Sequence, residues 1–513
     1  MTARLLRNPF RRAATPETRS LVQLARKGAA WSVLANLTMR FASIAVTALL
    51  ARLLSKSDFG SFAIALAVYL VVASLAELGM ASAITRSAEE PDDIAPTVAS
   101  LSILTSGCIG IAMAATATPL ATVLGQPGAA PSIRILSLCL VLTGFFAVPG
   151  AQLVREFRQG SIFAATVVGF VVANPLLIVL ALHGGGATSF AWSRVLGQLA
   201  TGLVLVLATR KRYRPGWRSD QVRPLLAFGL PLATANLVNW TLLNADYLIL
   251  GRFVDAARVG VYMIAFNVAN WSTAILGSVL NSVVVPSFAR LSSDRERLGS
   301  ALVSSAQLVA LLALPVGVLT SALAHPLVTT VFGARWNDSA AVLTVLAWYG
   351  ILFSYSLLFS NVLIALGRTV RLLVVQAVWV AFLVPAIVVG LRYDGLPGVG
   401  WAHVVTIAAV AVPAYLIAAL RATGLSLRRL LRPALRPFLA ALAAGAAAWA
   451  VSRLSSTPVV QLVTGGLVGG VVYAILVAGL VLRLLPAERV PAWVPLAPRR
   501  PQPAETDAEL ASL

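Results

Sequence analysis

The sequence predicts an all-α polytopic membrane protein with about 14 transmembrane helices, arranged as two parallel six-helix lobes related by pseudo-two-fold symmetry plus two extra C-terminal helices. Three observations carry the prediction. Hydrophobic residues make up 58% of the chain and charged residues 12%, with a mean hydropathy of +0.86, where a soluble domain holds roughly a quarter charged residues. Apolar runs of about 20 residues, the length that crosses a bilayer as a helix, recur between short hydrophilic turns. The third observation is an internal repeat.

The run GAAWSVLANLTMRFASIAVTALLARLLSKSDFG, from Gly28 to Gly60, returns as FGLPLATANLVNWTLLNADYLILGRFVDAARVG, from Phe228 to Gly260. Asn36 pairs with Asn236, Arg52 with Arg252 and Gly60 with Gly260, each at an offset of 252 − 52 = 200. Each copy reads as an apolar helix, an Arg at its far end, a short acid-containing turn, then a Gly opening an aromatic-containing apolar helix. Later landmarks keep the correspondence: Arg86 matches Arg290 at 204, and Trp192 matches Trp401 at 209. Internal repeats in membrane chains mark transporters, whose related lobes enclose a central path.

Taken in order, the candidate spans are 28–51, 59–84, 95–118, 131–151, 161–182, 187–209, 225–251, 258–285, 299–323, 338–366, 370–391, 396–420, 434–452 and 459–483. The basic stretch before the first span, with Arg4, Arg7, Arg11, Arg12, Arg19, Arg26 and Lys27, precedes an apolar run too long for a signal-peptide core. It reads as a cytoplasmic tail at 1–27. Spans one to six form an N-lobe at 28–209, a basic linker follows at 210–224, and spans seven to twelve form a C-lobe at 225–420. A basic loop at 421–433 leads to spans 13 and 14 at 434–485, rich in Ala and Gly and suited to close packing. A Pro-rich tail at 486–513 has the composition of a disordered segment.

Arginines set the orientation. Loops on the side of the N-terminus hold Arg210, Lys211, Arg212, Arg214, Arg218 and Arg223, then Arg290, Arg295 and Arg297, then Arg368 and Arg371, then Arg421, Arg428, Arg429, Arg432 and Arg436. Opposite loops hold only Arg52, Lys56, Arg252, Arg258 and single arginines at 335, 392 and 453. By the positive-inside rule both termini are cytoplasmic, which requires an even number of spans. Each six-span copy then enters from the same side, so the repeat is parallel. The linker arginines read as a topology anchor, with anionic lipid binding as the sharper alternative.

Composition also excludes. A net charge of +21 suggests nucleic acid in a soluble chain, but here the basic residues sit in short loops between apolar runs, and no nucleic-acid partner is expected. Cys108 and Cys139 lie inside apolar runs, supporting neither a disulfide nor a metal site. His183, His325 and His403 are scattered without ligand-like spacing, so no metal or cofactor is expected. No loop exceeds about twenty residues, which leaves no room for an extramembrane catalytic domain and argues against an enzyme.

What remains is the set of polar residues inside the spans, which are costly in lipid and face an interior. Asn36, Arg40, Ser43 and Thr47 follow spacings of 4, 3 and 4 and share one helical stripe. Arg40 lies near mid-span; it is either paired within the bundle or a cavity cation suited to phosphate. Span seven repeats the stripe with Asn236, Asn239 and Asp246, and span eight carries Asn267, Asn270 and Trp271. Amides and an indole bind sugar hydroxyls, or equally tie helices together. Arg194 in span six is a second candidate cation. Glu77 and Asp246 are candidates for pairing with these arginines or for ion coupling, Glu77 reading more as structural.

The run WSVLANLTMRFASIAVTALLARLLSKSDFGSFAIALAV followed by LAELGMASAITR, with NADYLILGRFVDAARVGVYMIAFNVAN and VVVPSFARLSSDRERL in the second copy, resembles the bacterial polysaccharide, or O-antigen type, oligosaccharide flippases. These belong to the multidrug, oligosaccharidyl-lipid and polysaccharide exporter superfamily. The resemblance covers about residues 25 to 485. It implies a two-lobed helical fold in the bacterial inner membrane, alternating between inward- and outward-facing states. It implies a substrate of glycan on undecaprenyl pyrophosphate, moved to the periplasmic leaflet for exopolysaccharide, capsule or O-antigen assembly. Membrane lipids, polysaccharide polymerase and export proteins are the implied partners, and a monomer is expected. Such families use lumen cations, and Arg40 and Arg194 fit by location. The alternatives are a cation-coupled multidrug exporter of the same superfamily, which wants an acidic cavity rather than Arg40, and a non-transporting scaffold of an assembly complex. A sugar-porter fold fits less well, because the loop TRSAEEPDDIAP is acidic.

Overall fold

The computed structural model describes residues 38–76, 80–86, 91–279, 284–291 and 294–484. Among them every regular element is helical. The chain divides into two compact units, 1–237 and 238–513, with the division inside one long helix.

The first unit begins with α1, whose described part is 38–53. It continues through α2 (Lys56–Ala76), α3 (Met80–Arg86), α4 (Pro91–Ala115), α5 (Ala117–Val123), α6 (Ala130–Arg155), α7 (Gln159–Leu182) and α8 (Gly186–Ala208) to the start of α9 (Ser219–Phe253). The second unit takes the rest of α9, then α10 (Ala256–Val279), α11 (Val285–Arg290), α12 (Arg295–Ala322), α13 (Ala324–Phe332) and α14 (Asp338–Ala365). It ends with α15 (Thr369–Thr406), a π-helical step at Ile407–Ala411, α16 (Val412–Thr423), α17 (Leu427–Ser452) and α18 (Pro458–Leu484).

Eleven helices among the described residues are long and apolar enough to cross a membrane. Parts of the expected first and eighth spans, 28–51 and 258–285, lie outside those residues. The run Thr369–Thr423, 55 residues long, far exceeds one bilayer thickness. It is broken at Asp394 (φ −137°, ψ 18°) and Gly395 (φ 60°), a backbone that favours glycine. Next to the break a Cβ on Gly390 would lie 2.2 Å from the carbonyl oxygen of Gly398, so the two halves touch backbone to backbone. The helices carry internal prolines at 96, 149, 175, 231, 315 and 385, tolerated in membrane helices because neighbours re-satisfy the freed carbonyls.

The repeated turn has one job in both copies. Ser55 and Asp58 form a reciprocal capping box at the start of α2: Ser55 N donates to Asp58 Oδ2 at 2.9 Å and Asp58 N donates to Ser55 Oγ at 3.1 Å. Two hundred residues on, Asp255 caps α10 by accepting from Arg258 N at 2.9 Å. The acid that closes each turn therefore satisfies helix-start amides with no other partner.

Within the first unit α6 packs against α4 and α8, and α7 against α8. Small residues set these distances: a Cβ on Gly144 would lie 1.9 Å from Ser106 Oγ and 2.6 Å from the Ser102 carbonyl. Apolar packing at the arginine-rich end joins Ile84, Ile94, Val98, Val148, Leu225 and Ala233. In the second unit α14 packs against α10, α12 and α15, and α17 joins α12 to α18. Tyr473 on α18 reaches across to donate to the Leu311 carbonyl of α12 at 2.9 Å.

Several arginines at helix ends close neighbouring helices. Arg155 donates to the Ile84 carbonyl at 2.9 Å near the end of α3, and Arg158 to the Ala208 carbonyl at 2.6 Å where α8 ends. A cation at a helix C-terminus meets both the orphan carbonyls and the negative end of the dipole. The linker after α8 is stitched to the start of α4. Lys211 and Tyr213 both bond Asp92, and Arg218 lies 3.7 Å from Asp93. Ser100 Oγ donates to the Gly216 carbonyl at 2.7 Å, and Thr97 Oγ1 to Gln221 Oε1 at 2.8 Å. Burial and then the bond to Asp92 push the Tyr213 hydroxyl up to about 12, so it remains a donor at physiological pH.

Gly144→Ala is expected to lower the thermal unfolding midpoint of the detergent-solubilised protein, by an overpacking penalty of about 1–3 kcal/mol, because the Ser102 backbone cannot yield. The Asp92–Lys211 pair is solvent-exposed, at 49% and 60% of its side-chain surfaces. A double-mutant cycle with Asp92→Ala and Lys211→Ala should therefore give a coupling below about 1 kcal/mol that shrinks in high salt.

Candidate functional site

A cavity of about 650 Å³ lies within the first unit, between α3, α4, α6, α8 and the start of α9. Its polar lining comes from Ser82, Thr85, Ser102, Thr143, Gln198, Thr201 and Asn236, and among the described residues no charged side chain lines it. Gly144, Gly150 and Gly202 leave the space: a Cβ on Gly202 would lie 2.0 Å from the Phe146 ring. Gln198 Nε2 donates to Thr143 Oγ1 at 2.8 Å and to the Cys139 carbonyl at 3.0 Å, which holds the amide across the α6–α8 contact. Ser102 Oγ is buried with no hydrogen-bond partner. A neutral lining of hydroxyls and amides suits a ligand that both donates and accepts hydrogen bonds.

Of the sequence-predicted residues, Asn236 lines this cavity. Arg40 does not. It is half-buried on α1, and its Nε is buried without a hydrogen-bond partner. Arg194 is exposed on α8, with its guanidinium carbon 5.2 Å from the centroid of the buried Tyr69 ring, a cation–π contact. Asn36 and Glu77 lie outside the described residues.

The second-unit candidates are not brought together. Asn239 accepts from Gln376 Nε2 at 3.4 Å, a tie from α9 to α15. On α10, Asn267 is exposed, Asn270 accepts from Thr273 Oγ1 at 3.2 Å, and Trp271 packs 6.5 Å from Phe332. Asp246 leaves the stripe altogether: it is buried, accepting from Tyr262 Oη at 2.7 Å and from the Tyr247 amide at 2.9 Å.

Sequence reasoning missed Gln198, Thr143 and Ser102 because serine, threonine and glutamine are common in spans and their convergence needs three helices. It set His403 aside as unaccompanied. The residue lies 403 − 262 = 141 positions from Tyr262, and only the tertiary structure, with α10 and α15 both packed on α14, brings the two side chains within 3.1 Å.

Comparison with known proteins places the chain in context. Residues 49–341 match the model of the family described as polysaccharide biosynthesis protein. A protein named lipopolysaccharide biosynthesis protein WzxC, from Escherichia coli strain K12, is 27% identical over 74% of this chain and 78% of its own length. Among solved structures, lipid II flippase MurJ in an inward closed conformation aligns with a TM-score of 0.69 and 14% identity, over 88% of this chain and 99% of its own. An inward-facing multidrug resistance transporter of the MATE family, in the MOP superfamily, aligns with a TM-score of 0.61 and 19% identity, over 74% of this chain and 94% of its own. At these identities the two structures show a shared fold.

With exposed Cys108 replaced by Ser, buried Cys139 leaves a low thiol background. Asn236→Cys in that chain is expected to react with a membrane-impermeant maleimide added on the side of the arginine-rich loops. Leu140→Cys, at a fully buried position, should not react.

Proposed function

The chain belongs to the polysaccharide biosynthesis protein family, and from that premise we propose that it is a flippase for lipid-linked oligosaccharide. It carries glycan on undecaprenyl pyrophosphate from the cytoplasmic to the periplasmic leaflet of the bacterial inner membrane, for exopolysaccharide, capsule or O-antigen assembly. The fold is two six-helix lobes with two further helices, both termini are cytoplasmic, and the protein acts as a monomer handing its product to polymerase and export proteins. A charged, many-hydroxyl headgroup cannot cross hydrocarbon unaided, since every buried polar group costs several kcal/mol without a partner. Alternating access removes that cost by moving a polar cavity instead of the headgroup.

The observation that carries this reading is Arg40, whose buried Nε has no hydrogen-bond partner. An unsatisfied guanidinium nitrogen in a membrane helix is expensive. A pyrophosphate oxygen satisfies it with a charge-assisted bond. The uncharged first-unit cavity, with its hydroxyls and amides, supplies the partners that sugar hydroxyls need. Arg194 is a second cation for the headgroup. A cationic drug would be repelled by Arg40, which separates this reading from a multidrug exporter.

Deleting the gene should make the lipid-linked oligosaccharide accumulate where an impermeant periplasmic glycosidase cannot reach it. Wild type should clear the accumulation; Arg40→Ala should not, while folding normally, and Arg40→Lys should restore part of the activity through charge without the fork geometry. Unchanged glycan lipids with raised sensitivity to cationic drugs would instead identify an exporter, and unimpaired function of Arg40→Ala would identify a scaffold.

A further inference from the structure

We propose that Asp246, Tyr262 and His403 form a proton-binding site in the second unit, loaded from the membrane face opposite the arginine-rich loops. The proton-binding part stands apart from the flippase reading; its use in transport rests on that reading.

The three side chains come from α9, α10 and α15 and are 1%, 0% and 2% exposed. They sit at one depth: Asp246 is seven residues before the end of α9 at Phe253, and Tyr262 is six residues after the start of α10 at Ala256. His403 is eight residues beyond the Gly395 break. Each is thus about 10 Å inside the same helix ends. Tyr262 Oη donates its single proton to Asp246 Oδ2 at 2.7 Å. Toward His403 Nε2, 3.1 Å away, the hydroxyl can then only accept, so Nε2 carries a proton. That leaves Nδ1, which is buried and without any hydrogen-bond partner. A neutral ring presents a bare lone pair there, and protonation turns the ring into an imidazolium whose Nε2 lies 3.6 Å from the carboxylate.

The balance is simple. A hydronium ion gives up one O–H bond, one N–H bond forms at His403 Nδ1, and the cluster passes from a net charge of −1 to zero. Water must reach the site for this, and a route is at hand. A cavity of about 620 Å³ lies at the helix ends, with Arg258, Asp338, Arg392 and Asp394 on its walls and Val261 and Val342 among its lining residues. Val261 precedes Tyr262 in the chain, and both valines are buried, so a thin apolar layer separates cavity from cluster. The other titratable groups packed on the cluster are Tyr247 and Tyr349, whose ring centroid lies 5.0 Å from His403; Phe266 completes the shell at 5.9 Å.

The repeat argues that this is not a helix tie required by the fold. At the offset of 200, Asp246 corresponds to Val46 and Tyr262 to Phe62, and Phe62 stacks on Phe190 at 4.7 Å. At the offset of 209, His403 corresponds to Arg194. The same framework thus folds without the acid and the hydroxyl; only the second unit carries them.

The chain has three histidines, and His183 and His325 are exposed, which makes nitrogen-15 histidine spectra of the full-length protein in lipid nanodiscs tractable. His183→Gln and His325→Gln assign the signals. The expected result is a His403 ring that moves between neutral and imidazolium forms as pH is lowered, with the imidazolium form lost in Asp246→Asn and diminished in Tyr262→Phe, which keeps the ring packing. A His403 signal that stays neutral at every pH, or that titrates identically in Asp246→Asn and Tyr262→Phe, overturns the proposal. In proteoliposomes, flipping of lipid-linked oligosaccharide by wild type should accelerate under an imposed pH gradient, and that acceleration should vanish in His403→Gln. Flipping that ignores the gradient overturns the coupling and leaves the flippase reading intact. Absence of flipping overturns the flippase reading, and the spectra still decide the proton site.

Discussion

Taking a charge out of water is the cost around which this molecule is arranged. In hydrocarbon an unpaired charge or backbone polar group has no solvent to turn to, so each must find a partner inside the protein. Most charged groups avoid the problem by sitting at helix ends, where they are also useful. Asp58 and Asp255 satisfy helix-start amides, while Arg155 and Arg158 satisfy helix-end carbonyls. Placing charge at helix ends keeps it out of the apolar interior and completes the helices at the same time.

Against that background the interior exceptions are informative. Arg40 keeps a buried guanidinium nitrogen unsatisfied, and Asp246 is satisfied by a tyrosine and approached by a histidine. In each place a buried nitrogen, Arg40 Nε or His403 Nδ1, is left without a hydrogen-bond partner. The first unit also holds a neutral cavity, where Gln198 and Thr143 present hydrogen-bonding groups without charge.

The repeat in the sequence shows where the two stretches agree and where they part. The two stretches share the capped turn and the aromatic-containing helix that follows it. They differ where chemistry is carried. Phe62, stacked on Phe190, and Val46 stand at the sequence positions that correspond to Tyr262 and Asp246, which are joined by a hydrogen bond. Apolar and polar layers can both fill the same space, so the framework tolerates the exchange while the function of the position changes.

The sequence by itself determined the class of fold, the internal repeat and the orientation bias, because those depend on hydropathy and charge summed along the chain, and short-range physics reads them directly. It also singled out Arg40 and Asp246, since a mid-span charge is costly wherever it ends up. Only the tertiary structure decided their company. Asn236 and Asp246 sit ten residues apart on one helix, yet one lines a first-unit cavity and the other is buried with residues 16 and 157 positions away. Helical spacing fixes which residues share a face, but the neighbours of that face come from other helices, whose packing depends on glycines such as Gly144 and Gly390 that let backbones touch. His403 was invisible for the same reason: a histidine gains meaning from the carboxylate beside it, and that carboxylate arrives from another helix.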